Sequence, residues 1–417
     1  MKQDVVEHIF RHEYGLLVAS LLRRVGVEHL SSVEDAVQHA MAQAVELWHV
    51  GDTPSSPSAW LYQVAYNHLI TEFRKLKRRN ELLEEHRNLT DSALAEQVVV
   101  PLPDEMGDSM LRMLYTACND AIPLESQLVF TLKSLCGFSV KEIALRLFIS
   151  KDNVYKRFNR AKQYLQNQSN KLDNLTSAEM TVRLPMVHRV LYLVFTEGHF
   201  SSHDDIAIRQ DLCEEAIRLM RLISQSTEGN VPETYALLAL MCLHFSKINT
   251  RLDNSGDLLL LDEQDRSLWD AQYIEIGMKY LGQSSSGDVL SRYHIEASIA
   301  AEHCLAPSFK QTRWDKIAAS YELLESISPS VLHRLNKAIA TAEWKSPEVG
   351  LASLQSLDGH MWVNNSYHWF AVLADLQFRC DKTRLAKKNA ELALQKAPTE
   401  NIKVLLRNRF EKYNFYG

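Results

Sequence analysis

Two short stretches concentrate positive charge in a chain whose formal net charge is −6. From Phe73 to Arg79 there are five basic residues (Arg74, Lys75, Lys77, Arg78, Arg79) and no acidic one. From Lys141 to Lys162 there are seven (Lys141, Arg146, Lys151, Lys156, Arg157, Arg160, Lys162) against two acidic (Glu142, Asp152). Such runs neutralise phosphates, and an acidic chain that binds nucleic acid must do so through local patches or with a partner. The competing reading of each run is a solvated helix face. Covalent and metal chemistry have weaker support. His8 and His12 stand one helical turn apart beside Glu13, but no third ligand is evident. The sequence has no Walker loop, no GxSxG and no Gly-rich phosphate cradle. His199 and His203 lie near an expected turn, where exposed histidines usually have no role. No catalytic residue, metal or cofactor is expected, and the chain is read as a non-enzyme.

The second basic run sits in GFSVKEIALRLFISKDNVYKRFNRAKQYL, Gly137 to Leu165. Two short helices that cross steeply need an apolar lock between them, and Ile143, Ala144, Leu147, Ile149, Val154 and Phe158 supply it. Ala144 is small, as close contact demands. Ser139 and Ser150 are placed to cap the two helices, with Asn153 three residues after the second. The pattern predicts a helix-turn-helix. Its second helix presents Lys151, Asp152, Asn153, Tyr155, Lys156, Arg157 and Arg160 outward. Residues at its N-terminal end suit base edges, and positive charge further along suits phosphates.

The elements around these motifs read as helices throughout. Hydrophobic residues make up 46% of 417, Gly (14) and Pro (11) are scarce, and strand-type alternation is rare. The fold class is all-α, with more than one core. In the first helix Val5, Ile9, Leu16, Leu17 and Leu21 form an apolar stripe; in the second, Val33, Val37, Met41, Val45 and Trp48 do so. Ser31 or Ser32 is expected to cap the second helix, with Glu34 and Asp35 in its first turn favouring the dipole. A breaker-rich loop (Gly51 to Ser58) precedes a third helix from Ala59 to about Lys77, whose end is basic. The expected organisation is a first module at 1–86, an acidic linker at 87–108, a helix-turn-helix module at 109–168, and a helical extension at 181–417. Leu335–Leu357 and Phe370–Leu394 echo each other at an offset of ~35 residues, near the tetratricopeptide period. Six cysteines with no CxxC spacing suit a reduced, cytoplasmic protein. The charged N-terminus lacks a signal-peptide core, and no apolar run approaches a membrane span.

HIFRHEYGLLVASLLRRVG, SSVEDAVQHAMAQAVELWHV and PSAWLYQVAYNHLITEFRKLKRR together resemble region 2 of extracytoplasmic-function sigma factors. PLESQLVFTLKSLCGFSVKEIA and the helix-turn-helix resemble their region 4, in the same order. RLPMVHRVLYLVFTEGHFSS, DLCEEAIRLMRLI, DLLLLDEQDRSLWD and TRWDKIAASYELL resemble a subgroup with a long tetratricopeptide-like extension. The resemblance covers nearly the full chain. It implies an alternative sigma factor of the bacterial cytoplasm, with core RNA polymerase (the largest-subunit coiled coil and the flap) and promoter DNA as partners. It also implies a regulatory extension that is open to a signalling partner. Within VEDAVQ, Asp35 and Gln38 would contact the polymerase. The Trp48–Trp60 segment would capture an unstacked −10 base, with Trp60, Asn67, Arg74, Lys77 and Arg78 along the strand path. Lys151, Asn153, Tyr155, Lys156, Arg157 and Arg160 would read the −35 element. Trp60 also reads as a core residue, and Asp35 as a helix-dipole residue. The sequence departs from the family at Thr71, where an Asp is usual and Glu72 stands adjacent. It departs again at Phe148, where the helix-turn-helix commonly has Gly.

Two other classes compete. A tetratricopeptide-type adaptor would keep the helices without promoter function. A one-component helix-turn-helix regulator would need neither VEDAVQ nor the Trp48–Trp60 segment. Promoter-specific initiation with core polymerase separates the first of these from a sigma factor.

Overall fold

The computed structural model describes residues 2–48, 54–82, 100–147, 149–167, 175–199, 209–253, 255–354 and 366–413. Among them are eighteen α-helices and no strand beyond an isolated bridge between Leu252 and Leu258. The all-α expectation holds. The chain divides into two compact units, Met1–Val194 and Phe195–Gly417.

In the first unit, α1 (Lys2–Val25) leads through a 3-10 turn (Val27–His29) into α2 (Leu30–Leu47), and α3 (Pro57–Leu82) follows. These three pack as a bundle. Leu17, Leu21 and Leu22 of α1, Val33, Val37 and Ala40 of α2, and Leu61, Ala65 and Leu69 of α3 are all buried at helical spacing on these packed helices. Each fully buried Leu contributes about 1.5–3 kcal/mol. The 3-10 turn feeds α2 directly, so the helix starts at Leu30 with His29 as an N-cap that makes no side-chain bond. Ser31 and Ser32, expected as caps, therefore lie inside the first turn. The expected apolar stripe also runs off the bundle: Val33 and Val37 are buried, but Val45 is 62% exposed. Pro57 rather than Ala59 opens α3, because proline needs no hydrogen bond at the first helical position.

A second group follows: α4 (Pro103–Ala117), α5 (Leu124–Phe130), a π-helical turn (Thr131–Leu135), α6 (Val140–Leu147) and α7 (Lys151–Gln166). Of the expected linker, residues 87–99 lie outside the described residues, as does Phe148. Pro103 opens α4, and the Glu105 carboxylate accepts from the Leu102 N–H at 2.9 Å. The division between the units falls within α8 (Ser177–His199), so residue 181, the expected start of the extension, lies inside that helix.

The second unit continues with α9 (Gln210–Gln225), α10 (Pro232–Phe245), α11 (Ala271–Ser284), α12 (Arg292–Leu305), α13 (Trp314–Ile327), α14 (Val331–Trp344), α15 (Pro347–Ser353), α16 (Tyr367–Arg379), α17 (Thr383–Lys396) and α18 (Glu400–Glu411). Chain neighbours pack together: α10 with α11 and α12, α13 with α14, α16 with α17. Every residue from Ala236 to Leu243 is buried, which makes α10 the central helix of its neighbourhood. Asp270 caps α11 by accepting from Gln272 and Tyr273 N–H, and Asp265 caps the 3-10 turn Arg266–Leu268. The Asp262 carboxylate lies 3.7 Å from Lys412 Nζ. No described helix is long and apolar enough to cross a membrane.

Candidate nucleic-acid interface

Local hydrogen bonds set the helix-turn-helix. Ser139 Oγ accepts from Glu142 N–H at 3.2 Å, and the Glu142 carboxylate accepts from Ser139 N–H at 2.8 Å. This reciprocal box starts α6. Ser150 Oγ accepts from Asn153 N–H at 3.2 Å and starts α7. The lock forms largely as the sequence indicates: Ile143, Val154 and Phe158 are buried, and Ala144, Leu147 and Ile149 are half-buried. Phe158 stacks on Phe130 of α5, with ring centroids 5.8 Å apart. With Val154, Phe158, Ala161 and Leu165 turned in, the opposite face of α7 turns out. Lys151, Asn153, Tyr155, Lys156 and Arg160 are exposed there, and Arg157 is half-buried. Tyr155 is 52% exposed.

On α3, Gln63, Asn67, Thr71, Arg74 and Arg78 recur at steps of three or four and are all exposed. They make one polar stripe that becomes basic toward its end; Lys77 lies beside it, half-buried. Thr71 Oγ donates to the Asn67 carbonyl at 2.8 Å, and Glu72 pairs with Lys75 at 2.7 Å. His39 of α2 and His68 of α3 stack 4.0 Å apart, and burial together with the neighbouring His39 holds the His68 imidazole below its usual value. Trp60 is half-buried and meets Trp48 edge-on at 5.3 Å. It is neither a free platform nor a core residue. Residues 49–53 of the intervening segment lie outside the described residues.

Asp35 and Gln38 are exposed on α2, and Ala42 and Val45 continue the same face at steps of four and three. Glu34 turns the other way. Its carboxylate is buried, accepts from Lys133 Nζ at 2.6 Å and from Ser134 Oγ at 3.0 Å. Both donors come from the π-helical turn. The Lys133 ammonium also sits 4.3 Å from the Phe158 ring centroid. The helix-turn-helix group therefore docks on the first bundle. Arg23 of α1 pairs with Asp108 of α4 at 2.7 Å, Lys162 of α7 reaches Ser31, and Gln166 donates to the Glu28 carbonyl at 3.1 Å. Gly15 of α1 is indispensable to this seam, since a Cβ there would lie 2.1 Å from the Leu135 carbonyl oxygen. The Tyr14 phenol is buried at the same seam, and burial with the nearby Glu34 carboxylate pushes its pKa up.

Sequence reasoning missed this seam. Glu34 reads as a dipole residue, and nothing in the sequence ties it to Lys133, 99 positions away. Gly15 is the one available signal, because an isolated glycine inside a helical pattern costs about 1 kcal/mol relative to alanine and asks for a packing reason.

Residues 10–79 match the model of sigma-70 region 2, and residues 112–165 match that of sigma-70 region 4. Residues 183–285 match a family of unknown function, DUF6596. The uncharacterized protein R00370 of Rhizobium meliloti (strain 1021) is 31% identical over 342 residues, which cover 82% of this chain and 80% of that protein. No solved structure matches. The exposed face of α7 and the basic stripe of α3 thus fall within the two sigma-70 matches. The chain belongs to one family with the Rhizobium meliloti protein, and its two N-terminal helical groups are sigma-70 regions 2 and 4, the pair that marks an extracytoplasmic-function-type sigma factor.

Proposed function

We propose that the chain binds core RNA polymerase as an alternative sigma factor and brings it to a promoter. The α2 face carrying Asp35 and Gln38 grips the coiled coil of the largest subunit, and the region 4 group meets the flap. Trp60, Asn67, Arg74, Lys77 and Arg78 follow the melted −10 strand. Lys151, Asn153, Tyr155, Lys156, Arg157 and Arg160 enter the −35 major groove. Phosphate contacts supply affinity, base contacts supply register, and a captured base holds the melted strand open. Bond chemistry belongs to the polymerase. The observation that carries this reading is the solvent-facing α7 surface, exposed from Lys151 to Arg160 around a buried lock.

The seam at Glu34 and Lys133 adds a step. The −10 and −35 elements lie about 25 base pairs apart, or about 85 Å at 3.4 Å per step. Two groups in contact through α1 and α2 must part to reach both elements. The helical extension, residues 181–417, regulates this activity in the manner of a tetratricopeptide-like platform, in cis or with a signalling partner. The boundaries at 86, 108 and 168 divide the polymerase and −10 work from the −35 work.

The test is reconstituted transcription with the full chain and core polymerase on a library of promoter fragments. A sigma factor yields discrete start sites that depend on the added protein. Failure to initiate anywhere, with polymerase binding also absent, favours the adaptor reading.

A further inference from the structure

The second unit encloses cations that promoter binding does not use. Lys247, just beyond α10, is 5% exposed. Its Nζ lies 5.5 Å from the Trp269 ring centroid, and the Arg266 guanidinium carbon lies 4.8 Å from the same centroid. Arg266 Nη1 donates to the carbonyls of His303 and Ala306 at 2.7 and 2.8 Å, at the end of α12. Its other terminal nitrogen, Nη2, is buried and meets no acceptor among the described residues. The same is true of Trp269 Nε1 and His303 Nδ1. Three buried hydrogen-bonding groups from two neighbouring segments thus have no protein partner among the described residues, near Lys247.

The surroundings do not neutralise this charge. Among the described residues neither Lys247 nor Arg266 forms an ion pair with an Asp or Glu, and the neighbouring group that favours the charge of both is the Cys304 thiol. Further positive charge lies close: Lys247 faces Arg251 and Arg266, and His303 faces Lys247 and Arg266. Arg251 itself donates to His199, whose ring meets that of His244 at 4.9 Å. Burial and these cations hold His199 and His244 neutral, well below the ordinary histidine value. His199, expected from sequence to be an exposed loop residue, is in fact fully enclosed at the end of α8; His203 lies outside the described residues. An indole face offsets only part of the desolvation of an ammonium and a guanidinium. A buried ammonium beside a half-buried guanidinium whose Nη2 is enclosed with no acceptor among the described residues suits an anion.

We propose that Lys247, Arg266, Trp269 and His303 form a binding site for a compact oxyanion, the phosphate or carboxylate group of a small molecule. Lys247 and the free Arg266 nitrogen supply charge, while Trp269 Nε1 and a neutral His303 carrying its proton on Nδ1 supply directional donors. The site makes the second unit a receptor for an anionic metabolite, and it stands whether or not the first unit reads promoters.

The test uses the full chain in anion-poor buffer, with inorganic phosphate and malonate as probes and chloride at matched ionic strength as the control. Calorimetric titration should show saturable binding of one probe, which tells the phosphate source from the carboxylate source. Trp269→Phe keeps the ring and removes the donor, so affinity for that probe should fall by about an order of magnitude. Lys247→Met should abolish binding and, without probe, raise the melting temperature, because it removes an unpaired buried charge. A lower melting temperature or misfolding of Lys247→Met would show that a carboxylate of the chain already neutralises this lysine, and would overturn the assignment. Absence of saturable binding by both probes, or unchanged binding in Trp269→Phe and Lys247→Met, would overturn it equally.

Discussion

Glu34 and Lys133 meet at 2.6 Å across 99 residues of sequence, with side chains 8% and 17% exposed, and so fasten region 2 to region 4. Removing one partner strands the other. Glu34→Gln should lower unfolding free energy by about 1–3 kcal/mol, less than the ~3–5 of a wholly buried pair because Lys133 keeps some water. The double variant Glu34→Gln/Lys133→Met should recover part of the loss. Urea unfolding of the four proteins measures the coupling; a value indistinguishable from zero means that the pair does not hold the seam.

The same pair should restrain promoter use. If regions 2 and 4 must part, weakening the seam favours the open form. At limiting polymerase, Lys133→Met should raise apparent affinity for promoter complexes, by at most about tenfold for each 1.4 kcal/mol of seam energy lost. Equal or lower output at matched folded concentration would argue that the seam persists in the working complex.

On α7 the two kinds of contact should separate by salt and sequence. Asn153→Ala should relax discrimination at one −35 position by about 1–3 kcal/mol. Arg160→Ala should weaken all sequences alike and reduce the slope of log affinity against log salt by about 1. Binding curves for the polymerase complex at several salt concentrations decide this. If Arg160→Ala changes base preference while leaving the slope alone, the roles are reversed.

Asp35 and Gln38 stand exposed on α2 while their neighbour Glu34 is buried. Asp35→Ala and Gln38→Ala should each weaken the hold on core polymerase, by roughly 1.5–3 kcal/mol for a hydrogen bond to a charged group. Asp35→Ala should not alter unfolding free energy by more than about 0.5 kcal/mol, whereas Gln38→Ala also removes a hydrogen-bond partner of the buried Tyr14 phenol and should cost about 1–3 kcal/mol. Full polymerase affinity in the double variant would place the contact elsewhere.

Burial holds the His188 imidazole of α8 at about 3, far below an unfolded value of 6.5. Above about pH 6.5 it is neutral in both states and has no effect. As pH falls, the unfolded chain takes up a proton that the folded chain refuses. Stability should therefore drop by about 1.4 kcal/mol per pH unit from this residue, down to about pH 3. His188→Leu should flatten the slope of unfolding free energy against pH by that amount. An unchanged slope would mean that the folded protein protonates His188 readily.

Local signals were legible in the sequence, and long-range ones were not. Ser139 and Ser150 cap the two helices of the helix-turn-helix because a hydroxyl ahead of a helix has few other uses. Ile143, Val154 and Phe158 had to be buried because apolar spacing fixes the inward face. Glu34 was read from its place near a helix start, whereas its partner arrives from another module, and spacing carries no information about that. His199 was placed near a turn expected at 197–203, yet α8 extends through His199. Val45 continues a perfect apolar period and still ends exposed, since the bundle is shorter than the helix.

The tightest contact at Gly15 is with the Leu135 main chain, which cannot swing aside as the nearby Met110 side chain can. A joint of that kind behaves as a snap-fit: it is seated or it is sprung. A methyl group at position 15 would work as a permanent wedge, so a single codon change offers a genetic handle on a chain held apart for life.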